Sequence, residues 1–138
     1  MRLPLFLLAV TALLSFSVMG KVPAEKILLV QIDDIGIISV NRDTVSSDIL
    51  ARYIQERLFK SYLGTGKMHS RIQLQKMNDN VPDMVTEVIV NEIKEGQKKA
   101  LTEVSLQKYR RTYDSLEKRQ QEKLKKQFPV LFQENFIR

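Results

Sequence analysis

The apolar positions of this chain change their spacing several times, and each change marks an element. "EKILLVQID" reads as a strand rich in β-branched and apolar residues, its near-continuous apolarity from Ile27 to Val30 suggesting cover on at least one face. "DDIG" then reads as a turn, in which Asp33 and Asp34 tolerate turn geometry and Gly36 supplies a positive φ. "IISV" returns as a second strand, "NRD" turns tightly again, and Thr44 and Val45 begin a short extended piece. The spacing next switches to a helical one. Ser46 or Ser47 is placed to cap a helix, and Asp48 falls in the first turn, where a carboxylate favours the helix dipole. Ile49, Leu50, Tyr53, Ile54, Leu58 and Tyr62 form one stripe along "SSDILARYIQERLFKSYL". Gly64 is expected to end that helix, leaving "GTGKMHS" as a connection.

"RIQLQKM" alternates Ile72 and Leu74 with Gln73 and Gln75, as a half-buried strand does, and Lys76 and Met77 fall out of that phase. "NDNVPD" breaks it. Pro82 suits the first turn of a second helix, with Asp83 near the positive end and Val85, Val88, Ile89 and Ile93 on one face. Two readings are open beyond it. Gly96 can terminate the helix and make "ALTEVSL" a strand, or the helix runs on through Ala100 and Val104. Glycine inside a helix costs only about 1 kcal/mol relative to alanine, so energy does not decide between them. A further helix is expected over 115–127, with Pro129 stopping it and "PVLFQENF" adding a last short strand. The implied fold class is α+β: a small sheet of short strands with two or more helices on one face, preceded by an apolar N-terminal helix.

That leader, "MRLPLFLLAVTALLSFSVMG", sets Arg2 before a 17-residue run from Leu3 to Met19 that contains no ionisable side chain. At about 1.5 Å per residue the run makes roughly 25 Å of helix, short of a hydrocarbon core of about 30 Å. Val18 and Gly20 occupy the −3 and −1 places of a signal-peptidase site before Lys21, so a cleaved signal peptide is favoured over a retained anchor. Either way the remainder is expected to be exported. The organisation is then 1–20 as signal or membrane anchor and 21–138 as a periplasmic domain, whose helical C-terminal extension spans about 108–138.

Charge and composition narrow the chemistry. The chain carries a net +6, much of it in "QKYRRTYDSLEKRQQEKLKKQF", where interleaved acids give the pattern of a solvated helix face. No stacking aromatics in a recognisable module accompany the basic residues, so nucleic acid is not expected as a partner. An acidic ligand such as a cell-wall polymer, or an anionic membrane surface, stays open. With no cysteine and a single histidine, neither disulfides nor a zinc site is available to the fold. His69 lies in a loop beside Lys67 and Arg71 and reads as an exposed structural residue. "GTGK" (Gly64 to Lys67) lacks the spacing and the following hydroxyl of a phosphate loop, and comes after a helix. Ser105 and Lys108 match S-x-x-K, in which an amine helps to activate a hydroxyl, but the companion S-D-N and K-T-G elements are missing. Asp33 and Asp34 are adjacent, so on an extended chain they face opposite ways; turn formation suits them better than acid–base catalysis. No catalytic, metal or cofactor residue is assigned, an enzyme is not expected, and the partner-binding residues stay open.

Once these elements are in order they resemble a known series. "KILLVQIDDIGIISVNRDTVSSDILARYIQERL" is similar to the start of the periplasmic domain of the ExbD/TolR biopolymer-transport family, with Asp33, Gly36, Val40, Asn41, Val45 and Leu50 on its plan of strand, turn, strand, turn and helix. The remainder resembles Bacteroidetes-type ExbD chains, Leu116, Gln120, Gln121, Pro129 and Glu134 falling where their endings place them. The resemblance covers most of 27–136 and rests on the ordered series, since no single motif is specific. It favours one long helix through Gly96. It implies a non-enzymatic subunit of an energy-transducing transport system in the periplasm or anchored in the inner membrane. The implied partners are an ExbB/TolQ-like membrane subunit, a TonB-like or Tol-like protein, and a second copy as a homodimer. In that family an intramembrane aspartate takes part in proton-driven motion. The leader here has none, so an accessory or regulatory subunit is expected rather than the proton carrier.

Overall fold

The structure, a computed structural model, describes residues 26–137. The chain is α+β. Four strands, β1 (Ile27–Ile32), β2 (Ile38–Val40), β3 (Asp43–Val45) and β4 (Arg71–Lys76), form one mixed sheet in the order β3-β2-β1-β4. β1, β2 and β3 make an antiparallel meander, and β4 lies parallel to β1 on its far side. Helix α1 (Leu50–Thr65) carries the chain from β3 across to β4, the long crossover a parallel pair requires. The register sets Leu28 beside Ile72, Val30 beside Leu74 and Val40, and Ile32 beside Ile38, which in turn pairs with Val45. All of these are buried, so the middle of one sheet face is apolar, with Asp43 and Lys76 at its ends.

The turns follow their residues. Asp33 organises the first: its Oδ1 accepts the backbone N–H groups of Ile35 (3.1 Å) and Ile37 (2.8 Å), and Gly36 takes φ +88°. Asp34 makes no such bond and is exposed. The second turn has two central residues, Asn41 and Arg42, both at positive φ (46° and 78°), as a two-residue hairpin demands. Asparagine accepts that geometry; a long side chain with a Cβ does not, at about 1–2 kcal/mol. Arg42→Gly is therefore expected to stabilise the fold by about 0.5–1 kcal/mol, after the added freedom of the unfolded glycine takes back about 0.4–1 kcal/mol. Thermal unfolding checks it, and an unchanged or lower midpoint would show that the turn holds Arg42 without strain.

Two helices cover the apolar face. The 3-10 turn Ser47–Ile49, capped by the Ser46 hydroxyl, leads into α1. Leu50, Ile54 and Leu58 of the expected stripe are buried, with Tyr53 and Tyr62 half-buried, but Ile49 is 46% exposed because it stands in the tighter turn before the helix proper. Gly64 does not stop α1. The helix runs through it to Thr65 and ends at Gly66, which takes the left-handed conformation (φ 74°). Helix α2 spans Asp83–Tyr109 without a break at Gly96, with Pro82 at its N-cap. Ile89, Ile93, Gly96, Gln97, Ala100 and Val104 form its buried side; Val88 lies a step off that row and is 49% exposed. A Cβ on Gly96 would meet the Ala51 carbonyl oxygen at 2.8 Å and Ile54 at 2.9 Å, so the two backbones are in near contact. Farther along both helices Gln55 hydrogen-bonds Glu103, which means that α1 and α2 run in the same direction.

The C-terminal extension departs from expectation. Its helix α3 is Lys118–Gln127, opened by a capping box between Glu117 and Gln120 and preceded by a 3-10 turn, Tyr113–Ser115. Beyond Phe128 the chain makes a 3-10 turn, Pro129–Phe132, instead of a strand, and pairs with β4 only through one parallel bridge, Leu74 with Ile137. Phe128, Val130, Leu131 and Phe136 are buried anchors of this stretch. The expected leader helix lies outside the described residues.

Candidate interaction surface

Among the described residues nothing covers the second face of the sheet. β1 and β4 alternate, so Ile27, Leu29, Gln31, Gln73 and Gln75 point away from the helices. With Asn41 and Arg42 they line an open cleft of about 780 Å³. Its rim is a row of amides: Gln31 Nε2 donates to Gln75 Oε1 at 3.0 Å. Asn41 is locked by the backbone of β1, its Oδ1 accepting from the Leu29 N–H (2.7 Å) and its Nδ2 donating to the Ile27 carbonyl (3.3 Å). Such a lining offers apolar contact on Ile27 and Leu29 and hydrogen bonds of both senses around them. These are means of holding another surface, with one fixed positive charge at Arg42.

The two sheet edges are unequal. β3 is three residues long and ends the sheet on one side. In a ladder closed by a two-residue turn, Asp43 and Val45 direct their backbone groups to β2, and Thr44 directs its own outward. On the other side β4 is covered by the C-terminal stretch. The Gln133 side chain copies a peptide group there, accepting the Ile72 N–H (2.8 Å) and donating to the Ile72 carbonyl (2.7 Å), and the Leu74 N–H donates to the Phe136 carbonyl (2.8 Å). From the helical layer Gln97 holds the same stretch, its Nε2 donating to the carbonyls of Val130 (2.8 Å) and Gln133 (3.1 Å). Neither glutamine stands out in the pattern, because a Gln in a polar run reads as solvated. The Pro129 break and the buried apolar residues after it were the available signal.

The residues considered for chemistry are not brought together. His69 is 3% exposed, so the expectation of an exposed side chain is corrected: the connection between α1 and β4 folds inward at that point. Lys67 lies in that same connection and is exposed, and Gly66 serves as the helix cap. Ser105 is fully buried in α2, while Lys108 turns outward, its Nζ donating to Gln127 Oε1 at 2.7 Å and lying 5.6 Å from the Phe128 ring centroid. The amine is thus committed away from the hydroxyl. Ser105 Oγ has no hydrogen-bond partner among the described residues. An unpaired buried hydroxyl costs about 1–3 kcal/mol, and alanine is the better helix former. Ser105→Ala is expected to raise stability by about 1 kcal/mol; a loss in urea unfolding would show that the hydroxyl is paired.

Among the described residues no group of His, Cys, Asp and Glu is placed to hold a metal ion, and no helix is long and apolar enough to cross a membrane. No protein-family model, no curated protein and no solved structure matches the chain.

Proposed function

We propose that this chain is a non-enzymatic subunit or accessory of an ExbD/TolR-like energy-transducing biopolymer transport system, acting in the periplasm through protein–protein contacts. The observation that carries the reading is the one-sided sheet. Among the described residues helices cover one face and leave the other free, with Ile27 and Leu29 set among amides. The order of the elements supports it as well, since strand, turn, strand, turn, helix, strand and long helix follow the plan of the resemblance. The partners proposed are an ExbB/TolQ-like membrane subunit and a TonB-like or Tol-like protein, with a homodimer through the same surface. A partner strand reaching the outward backbone groups of Thr44 would extend the sheet by one strand. The short β3 limits that contact and leaves the open face to supply most of the area.

Affinity recovery from envelope extracts with the full chain tests this. The expected result is an ExbB-, TonB- or Tol-type protein that is lost with Leu29→Glu, a change on the open face that leaves the core untouched. Recovery of none of these proteins, or recovery unaffected by Leu29→Glu, rejects the reading. The intact mass of the native protein settles the leader separately: a start at Lys21 means a soluble exported domain, and a retained Met1 an anchored one.

A further inference from the structure

The cationic extension sits at the pole of the domain where the leader joins it. Ser70 fixes that junction, donating from both its N–H and its Oγ to the Lys26 carbonyl at 2.7 Å. Only four residues separate Ser70 from Thr65, the last residue of α1. In the last turn of that helix Tyr62 packs edge-on against Phe128, ring centroids 5.1 Å apart, and Lys108 near the end of α2 reaches Gln127. The ends of α1, α2 and α3 and the start of β1 therefore share one pole.

The stretch that ends at that pole carries most of the charge. Between 108 and 127 eight Lys and Arg face three Asp and Glu, a net of +5 out of the chain's +6. Helix α3 buries Leu124 alone and exposes Lys118, Arg119, Lys123, Lys125 and Lys126 around it. The one acid among them, Glu122, lies 3.9 Å from Lys125. Arg111, Lys118, Arg119 and Lys126 are exposed and take part in no ion pair among the described residues. Helix dipoles account for cations in a last turn. They do not account for Lys118 and Arg119, which open α3.

The covalent tether supplies the partner. Six residues, Gly20 to Glu25, separate the apolar run from Lys26, and fully extended they span about 22 Å. If the run stays in a bilayer, this pole cannot leave the headgroup region by more than that. We infer that the cationic pole, built from Arg111 and the exposed face of α3, docks on an anionic phospholipid surface beside the leader. A retained leader would keep the pole at that surface; with the leader cleaved, the charge alone brings it there.

Full-length protein with a single Glu122→Cys label, unique because the chain has no cysteine, tests the inference on vesicles of phosphatidylcholine with or without one-third phosphatidylglycerol. The label should be quenched by headgroup-level quenchers only where phosphatidylglycerol is present. The quenching should vanish as salt rises from about 0.1 M to about 1 M, where the screening length falls from about 10 Å to about 3 Å. Each cation at such a surface is worth about fivefold in partitioning. Changing Arg111, Lys118, Arg119 and Lys126 to Gln should therefore weaken the phosphatidylglycerol-dependent contact at least ~10-fold.

Retention on phosphatidylcholine alone in high salt reports the leader separately. A chain so retained whose label shows no dependence on phosphatidylglycerol overturns the docking and spares the leader. A chain not retained that still shows quenched, salt-sensitive binding to phosphatidylglycerol vesicles upholds the docking without the anchor. Binding to a soluble polyanion such as polyglutamate, with no quenching on either vesicle, overturns the docking in favour of an acidic polymer.

Discussion

Gly96→Ala is expected to destabilise the protein by about 2 kcal/mol or more, and Gly64→Ala to stabilise it by about 0.5–1 kcal/mol. Both glycines lie inside helices, where alanine gains about 1 kcal/mol of propensity, so local preference gives the two changes the same sign. Tertiary contact separates them. Gly64 is exposed, and a Cβ there meets nothing within 4 Å. At Gly96 it meets the carbonyl oxygen of Ala51 at 2.8 Å and the Cβ and Cγ2 of Ile54 at 2.9 Å. The carbonyl belongs to the helix backbone and cannot swing aside, so α1 and α2 must separate. That movement would loosen Leu50, Ile54, Ile93 and Ala100, all buried in the shared core. With about 4–8 °C per kcal/mol for a domain of this size, the melting temperatures of the two variants should differ by more than about 10 °C, Gly96→Ala being the lower. Two variants that both melt higher than the parent would show that the helices are not in contact at Gly96.

The same position shows where sequence reasoning stops. β1, β2 and β4, both hairpin turns and the apolar stripes of α1 and α2 are legible because side-chain burial imposes a period on each element. Gly36 is legible because its turn needs positive φ. Gly96 has no side chain and so contributes nothing to a hydropathy pattern; whether it ends the helix or admits a neighbour depends on a residue 45 positions away. Gly64 and Gly66 are both small and near the helix end, and only the Gly66 N–H, bonded to the Tyr62 carbonyl at 2.8 Å, decides which one caps it. His69 stands between Met68 and Ser70 in a mostly polar connection, and its burial comes from the way that connection folds back on the domain. The open face was legible in part. The alternation of Gln73 and Gln75 with Ile72 and Leu74 announced a half-exposed strand, whereas the place of β4 beside β1, which joins the two amide rows into one surface, is set by the crossover alone.

Gln97→Leu is expected to cost about 3 kcal/mol and to release the edge of β4 before the rest of the domain unfolds. Leucine fits the space but cannot donate, leaving the carbonyls of Val130 and Gln133 without the Nε2 that holds them. Each buried group so stranded costs about 1–3 kcal/mol. The loss does not stay local to α2. Gln133 is the residue whose side chain closes β4 at Ile72, and Phe136 provides the next rung at Leu74, so slackening the stretch from Val130 to Phe136 exposes both amides. Hydrogen exchange separates this from general weakening. The Ile72 and Leu74 amides should exchange fast in Gln97→Leu, while those that join β1 to β2 stay protected. Uniformly faster exchange would mean that Gln97 supports the whole core and not the C-terminal stretch in particular. An edge freed in this way presents unpaired backbone groups in a row, so the variant should also associate with itself as its concentration rises. A double variant with Gln133→Ala should add little to the exchange of Ile72, because the clamp it removes has already opened.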